Sequence, residues 1–214
     1  VRTKHKKNKK PILLLYGFFS SRKSLTVLER LLTYRGYEVI TFNLGGILGT
    51  FYNKGIIESA KTVDIKMKRQ FEKFGYNKIS IVAHSKGGLV ALWWVLKLGG
   101  YKYCDKVITL ATPFKGTWWT WLGLVTPIGL FFRDLWQMRP GSNLQKVLSK
   151  AEVPEHVFIY NFYSYKDLVV PGEKGIFSSV CSKQVKAIQK NVTHYGFLHK
   201  SSVAEKISEI IGKK

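Results

Sequence analysis

Apolar positions along the chain fall into two kinds of run. Short ones, at Ile12–Tyr16, Tyr37–Phe42, Ile79–Val82, Lys106–Ala111 and Val157–Phe162, have the length and β-branched or aromatic content of strands, and a weaker run at Val185–Ile188 reads as a last one. Longer segments with helical spacing lie among them: Leu25–Leu32 closed by Gly36, Leu89–Leu98 before Gly99 and Gly100, and Ser201–Ile211 near the end. Ile56–Phe74 is amphipathic, with Lys61, Lys66, Lys68, Arg69 and Lys73 on its polar side and Gly75 as its stop signal. Strands alternating with helices predict an α/β domain: a mostly parallel central sheet with helices on both faces. A length of 214 residues with 45% hydrophobic content suits one such domain, over residues 11–214, preceded by a basic mobile tail at 1–10.

One segment breaks the alternation. Thr117–Phe132 is uncharged and contains Trp118, Trp119, Trp121, Phe131 and Phe132, with Trp136 just beyond. Gly123, Pro127 and Gly129 oppose a single straight helix, and the run is shorter than the ~20 residues of a membrane span. It reads as a lid inserted at about 114–150, with these six aromatic residues as its lid and substrate-binding side chains.

The junction at residues 79–88 carries the chemistry. Ile-Ser-Ile-Val-Ala-His-Ser-Lys-Gly-Gly runs from a strand into the apolar helix after it, and Ala83 and Gly87 flank Ser85 where a sharp turn leaves no room for side chains. A serine held there stands at a helix N-terminus, where backbone N–H groups favour negative charge. Such a nucleophile needs a histidine base and a carboxylate that orients it, on loops after later strands. Asp167, after the strand ending near Phe162, and His194, before the closing helix, fit that order. Asp134, Glu152, Glu155 and Glu173 are less well placed for the acid; His199 reads as part of the entering helix and His84 as structural. The backbone amides of Lys86 and Phe18, the latter in the turn Tyr16-Gly17-Phe18, are the expected oxyanion donors. The Lys86 side chain is expected to add positive field at the site mouth.

Composition changes the picture in one respect. Lys and Arg number 35 against 13 Asp and Glu, a net charge of +22, which favours anionic surfaces. No helix-turn-helix, zinc-ligand or RNP-like pattern accompanies the charge, so no nucleic-acid partner is expected. Cys104 and Cys181 form neither a disulfide framework nor a metal-ligand spacing, and no metal or cofactor is expected. The basic run Arg2–Lys10 lacks the apolar core of a signal peptide. An export signal or anchor removed upstream of Val1 would leave no trace in this chain, so location stays open between export and peripheral membrane attachment.

From Ile12 to Ile211 these features resemble the α/β-hydrolase superfamily, in particular its small bacterial lipases and esterases. Ala83-His84-Ser85-Lys86-Gly87-Gly88 is similar to the His-Ser-x-Gly-Gly elbow, in the variant with alanine at the first small position. Leu110-Ala111-Thr112-Pro113-Phe114-Lys115-Gly116-Thr117 is similar to the Thr-Pro-x-x-Gly-Thr segment that introduces the lid. His194-Tyr195-Gly196-Phe197-Leu198 resembles the histidine loop, and Asp167 with Val169-Val170-Pro171 the acid loop. Tyr16 stands where these lipases usually carry a histidine.

The resemblance implies a serine carboxylic-ester hydrolase acting on lipid-like acyl esters through Ser85, His194 and Asp167. An acyltransferase or thioesterase with the same triad, and a non-catalytic protein that binds anionic membranes on a hydrolase scaffold, are the alternatives. Oligomeric state is not legible.

Overall fold

A computed structural model describes residues 10–18, 20–44, 54–126, 132–179 and 182–213. Most of the basic tail, Pro127, Gly129, Phe131 and Cys181 lie outside the described residues. Six strands, β1 (Ile12–Leu15), β2 (Val39–Thr41), β3 (Ile79–His84), β4 (Cys104–Leu110), β5 (Phe158–Tyr163) and β6 (Val185–Gln189), pair in the order β2-β1-β3-β4-β5-β6. Every pairing is parallel, so the expected sheet is present.

The strands at the centre are apolar on both faces because both are covered. All four residues of β1 and all six of β3 are buried. The helices pack in two groups, α2 (Ile56–Phe74) with α3 (Lys86–Lys97), and α1 (Thr26–Tyr34) with α7 (Gly196–His199) and α8 (Ser201–Gly212). Helix α3 buries most of its circumference, from Lys86 through Leu92 and again at Trp94 and Val95, which is why its sequence is nearly continuous in apolar residues. Each fully buried leucine or valine there contributes roughly 1.5–3 kcal/mol.

Helix α2 has the bounds that its periodicity predicts. Its first turn is held by Glu58, whose carboxylate accepts from the Gly55 amide at 2.7 Å. The expected helix at Leu25–Leu32 is offset: Arg22–Leu25 forms a 3-10 turn capped by Ser21, and α1 runs on to Tyr34. β2 is three residues long rather than six, since Tyr37 and Glu38 precede the pairing with β1.

Between β4 and β5 lies an insert with three short helices, α4 (Trp119–Leu124), α5 (Arg133–Met138) and α6 (Asn143–Ser149). Among the described residues no helix is long and apolar enough to cross a membrane. The strand order reverses direction between β1 and β3, and the carboxyl ends of these two strands open the crevice where α/β sheets commonly place ligands.

Candidate active site

Ser85 occupies that crevice. It has φ 53° and ψ −127°, a backbone region costly for a residue with a Cβ, and caps the N-terminus of α3. Two hydrogen bonds hold it there. Its amide donates to the Leu110 carbonyl of β4 at 2.8 Å, and its own carbonyl accepts from the Gly88 amide at 2.9 Å. The turn is tight enough that a Cβ on Gly87 would lie 2.6 Å from the Tyr16 carbonyl oxygen, and one on Gly88 would lie 1.9 Å from Thr112 Oγ1. The small residues around Ser85 are therefore required by the approach of α3 to β1 and to the loop after β4.

The turn after β1 closes over the serine from the other side. A Cβ on Gly17 would come within 2.8 Å of Ser85 Cβ and 3.3 Å of Ser85 Oγ. Tyr16, in the place of the histidine usual in lipases, is fully buried, and its hydroxyl accepts from the Leu44 amide at 3.0 Å. Burial raises the Tyr16 pKa, so the ring serves as a neutral strut between the loops after β1 and β2.

Asp167 and His194 are 27 positions apart and meet at 2.8 Å, Oδ2 to Nδ1. A carboxylate only accepts, so Nδ1 carries the proton and Nε2 presents its lone pair. The other Asp167 oxygen accepts from the amides of Val169 and Val170 at 2.8 and 2.9 Å, which fixes the fully buried carboxylate within its own loop. His194 is tied to the elbow through its neighbour: the His84 Nε2–H donates to the His194 carbonyl at 3.0 Å, and the two imidazole centroids are 4.7 Å apart. His84 Nδ1 is buried without a hydrogen-bond partner among the described residues. Burial, with the proximity of His194, pushes the His84 pKa down to about 3, so this ring is neutral and ties the His194 loop to the elbow. His199 closes the short helix α7 and is exposed.

The structure thus brings Ser85, Asp167 and His194 to the carboxyl end of the sheet, with Phe18 and Lys86 on the two turns that flank the serine. The Lys86 side chain departs from expectation. It does not point to the mouth: it is fully buried, and its Nζ lies 2.6 Å from Oδ2 of Asp134, which is fully buried too. An aliphatic stem leaving the first turn of α3 runs inward to the Lys54 carbonyl just before α2, and there the ammonium meets the Asp134 carboxylate of α5. Nothing in the sequence joins positions 86 and 134; the one signal was a lysine in a segment otherwise devoid of charge from Ser85 to Leu96.

The insert's aromatic residues divide. Trp118, Trp119 and Trp121 are exposed, Trp118 at 68%, with Leu122 at 61% and Val125 at 78% beside them. Phe132 is partly buried and meets the Phe18 ring edge-on at 6.2 Å. Trp136 lies under the Arg139 guanidinium and lines a groove of about 280 Å³ with Ile57, Trp93 and Leu144. Trp119 Nε1 donates to the Leu168 carbonyl at 3.0 Å and Thr117 Oγ1 to the Val169 carbonyl at 2.6 Å, so the start of the insert grips the Asp167 loop. No cluster of His, Cys, Asp and Glu able to hold a metal occurs among the described residues.

The model of the family described as "Putative serine esterase (DUF676)" matches residues 6–142, from before β1 through the elbow and into the insert. No curated protein matches the chain by sequence. Its fold is similar to that of the mature form of Bacillus licheniformis lipase BlEst2, with a TM-score of 0.76 at 14% identity over 96% of this chain and 93% of the other. It is also similar to a Paleococcus ferrophilus monoacylglycerol lipase (TM-score 0.68, 13% identity, 95% of each chain). A third neighbour is an esterase from Exiguobacterium antarcticum (TM-score 0.70, 14% identity, 95% of this chain and 92% of that one). These likenesses establish the α/β-hydrolase fold.

Proposed function

The chain belongs to the family described as "Putative serine esterase (DUF676)", and on that premise we propose that it is a carboxylic-ester hydrolase acting on lipid-like acyl esters. The observation that carries this reading is the strained Ser85 at the end of β3, next to His84, which bonds the carbonyl of His194, whose Nδ1 is in turn held 2.8 Å from the buried Asp167 carboxylate. Ser85 Oγ attacks the ester carbonyl while His194 Nε2 takes its proton. The amides of Phe18 and Lys86 receive the developing negative charge on the carbonyl oxygen. Collapse of the tetrahedral intermediate expels the alcohol, which leaves with the proton from His194. Water, deprotonated by the same nitrogen, then cleaves the acyl-enzyme and releases the acid and the free serine. Asp167 keeps the imidazole in the required tautomer and stabilises the imidazolium. No step calls for a metal or cofactor.

The substrate class follows from the insert and the charge. Trp118, Trp119, Trp121, Leu122 and Val125 expose apolar surface, and Lys174 lies over the Trp118 ring. Aromatic and aliphatic side chains interleaved with lysine suit a lipid–water interface with anionic headgroups, where the insert acts as a lid. The lipase and esterase names of the structural neighbours agree with an acyl-ester substrate.

Ser85→Ala tests the reading. Hydrolysis of p-nitrophenyl esters and labelling by a fluorophosphonate probe are expected in the wild type and lost in this variant, with the circular dichroism spectrum unchanged. Retained turnover in Ser85→Ala overturns the assignment; a wild type that never labels points to a non-catalytic scaffold. Product analysis with added alcohol or thioester separates hydrolysis from acyl transfer and thioester cleavage.

A further inference from the structure

The insert touches the candidate site at two places. At its start, Thr117 and Trp119 hold the carbonyls of Val169 and Leu168, the residues that follow Asp167. At α5, Asp134 turns inward to Lys86, the residue that follows Ser85.

The second contact is the centre of a closed cluster. Lys86 Nζ donates to Asp134 Oδ2 at 2.6 Å and to the Lys54 carbonyl, just before α2, at 2.9 Å. The ammonium also lies 5.9 Å from the centre of the Phe18 ring. That ring meets Phe132, the residue before α5. Asp134 Oδ1 accepts from the Leu135 amide at 3.1 Å. Burial lowers the Lys86 pKa and raises that of Asp134, while their mutual attraction opposes both shifts.

Taking two such charges out of water costs several kcal/mol per ion, and apolar replacement of a buried pair is often neutral or stabilising. The pair is therefore a poor source of stability, whereas it is directional: one ammonium is bonded to the carboxylate of α5 and the carbonyl before α2 and faces the turn after β1. The two residues it joins at the crevice, Phe18 and Lys86 itself, are those whose amides serve as oxyanion donors in the mechanism above. Resting on that reading, we propose that Lys86 is a positioning residue. With Asp134 it fixes α5 and the Phe18 turn against the elbow and so keeps the two amides aimed at the ester carbonyl oxygen.

The test is the double variant Lys86→Met/Asp134→Leu, which removes both charges and keeps an unbranched side chain at 86 and a forked one at 134. Its thermal midpoint is expected to stay within a few degrees of the wild type. For a soluble short-chain ester, kcat is expected to fall at least tenfold with KM within twofold, and fluorophosphonate labelling of Ser85 to slow in the same proportion. A folded double variant with wild-type kcat reduces the pair to a structural contact and overturns the proposal. An unchanged kcat with a raised KM also overturns it, because the pair then shapes substrate binding. If the double variant does not fold, Asp134→Asn is read in the same assay. It retains a hydrogen bond to the ammonium but not its charge: a kcat at least threefold lower at constant KM supports the proposal, and a wild-type kcat overturns it. A wild type that neither hydrolyses esters nor labels at Ser85 is a different failure, that of the functional reading itself, and it removes this inference as well.

Discussion

Gly17 lies against Ser85 so closely that a methyl group on it would come within 2.8 Å of the serine Cβ and 3.3 Å of its Oγ. Gly17→Ala must push the β1 turn away from the elbow, and the Phe18 amide moves with it. Turnover is expected to fall by about 10²–10³, the loss seen when one oxyanion donor is removed. Stability should fall by only about 1–3 kcal/mol, as for other overpacked sites. Steady-state kinetics with a thermal melt checks both; unchanged turnover would place the turn outside the chemistry.

Asp167 accepts from the His194 ring at 2.8 Å and from two amides of its own loop. In Asp167→Asn an amide group can face Nδ1 with its N–H, which favours the tautomer with the proton on Nε2, the wrong one for a base. A fall in kcat of about 10³–10⁴ is expected, with KM little changed. A loss under tenfold would remove Asp167 from the orienting role.

His84 predicts how stability responds to acid. Its folded pKa, about 3, lies below its ordinary value of 6.5. Between those two values the unfolded chain takes up a proton that the folded state does not. Stability contributed at neutral pH is therefore lost as pH falls from 6.5 toward 3, by ~1.4 kcal/mol per pH unit. His84→Gln keeps a donor toward the His194 carbonyl and cannot titrate. Urea unfolding at pH 7, 6, 5 and 4 is expected to show a shallower decline in this variant, by up to one proton's slope. Parallel curves would mean that His84 is not the acid-sensitive group.

Leu122 and Val125 stand 61% and 78% exposed on the insert and make no part of the proposed catalytic constellation. Leu122→Ser/Val125→Ser is expected to weaken partitioning onto anionic vesicles roughly tenfold or more, since each apolar side chain contributes about 1.5–3 kcal/mol on burial. Activity on a soluble short-chain ester should stay within twofold. Vesicle sedimentation at low salt, compared with the soluble assay, checks this. Equal binding by variant and wild type would take the insert out of lipid recognition.

Much of this protein was legible because its signals are local. The spacing of apolar residues and the stop at Gly75 predict α2 to the residue, since amphipathic period and helix termination act over a few neighbouring positions. The small residues about Ser85 are equally local, being forced by one sharp turn. Order along the chain selected Asp167 and His194, because parallel strands deliver their following loops to the same edge of the sheet. The offset of α1 and the short β2 were not legible: ends of elements depend on caps and on pairing with a neighbour strand.

What the sequence by itself determined is therefore the α/β alternation and the strand–turn–helix at Ser85, and it singled out Asp167 and His194, which lie 2.8 Å apart in the structure. Only the tertiary structure decided where the charges and rings beside them go. Lys86 reads as a cation at the site mouth because lysine is rarely buried unless paired. Its partner Asp134 is 48 positions away, on a helix whose packing no local pattern encodes. The seating of Gly17 on Ser85, the bond from His84 to the His194 carbonyl and the grip of the insert on the Asp167 loop have the same origin. Each is a contact between segments brought together by burial of the whole core, and sequence spacing carries no information about distances that the sheet alone sets.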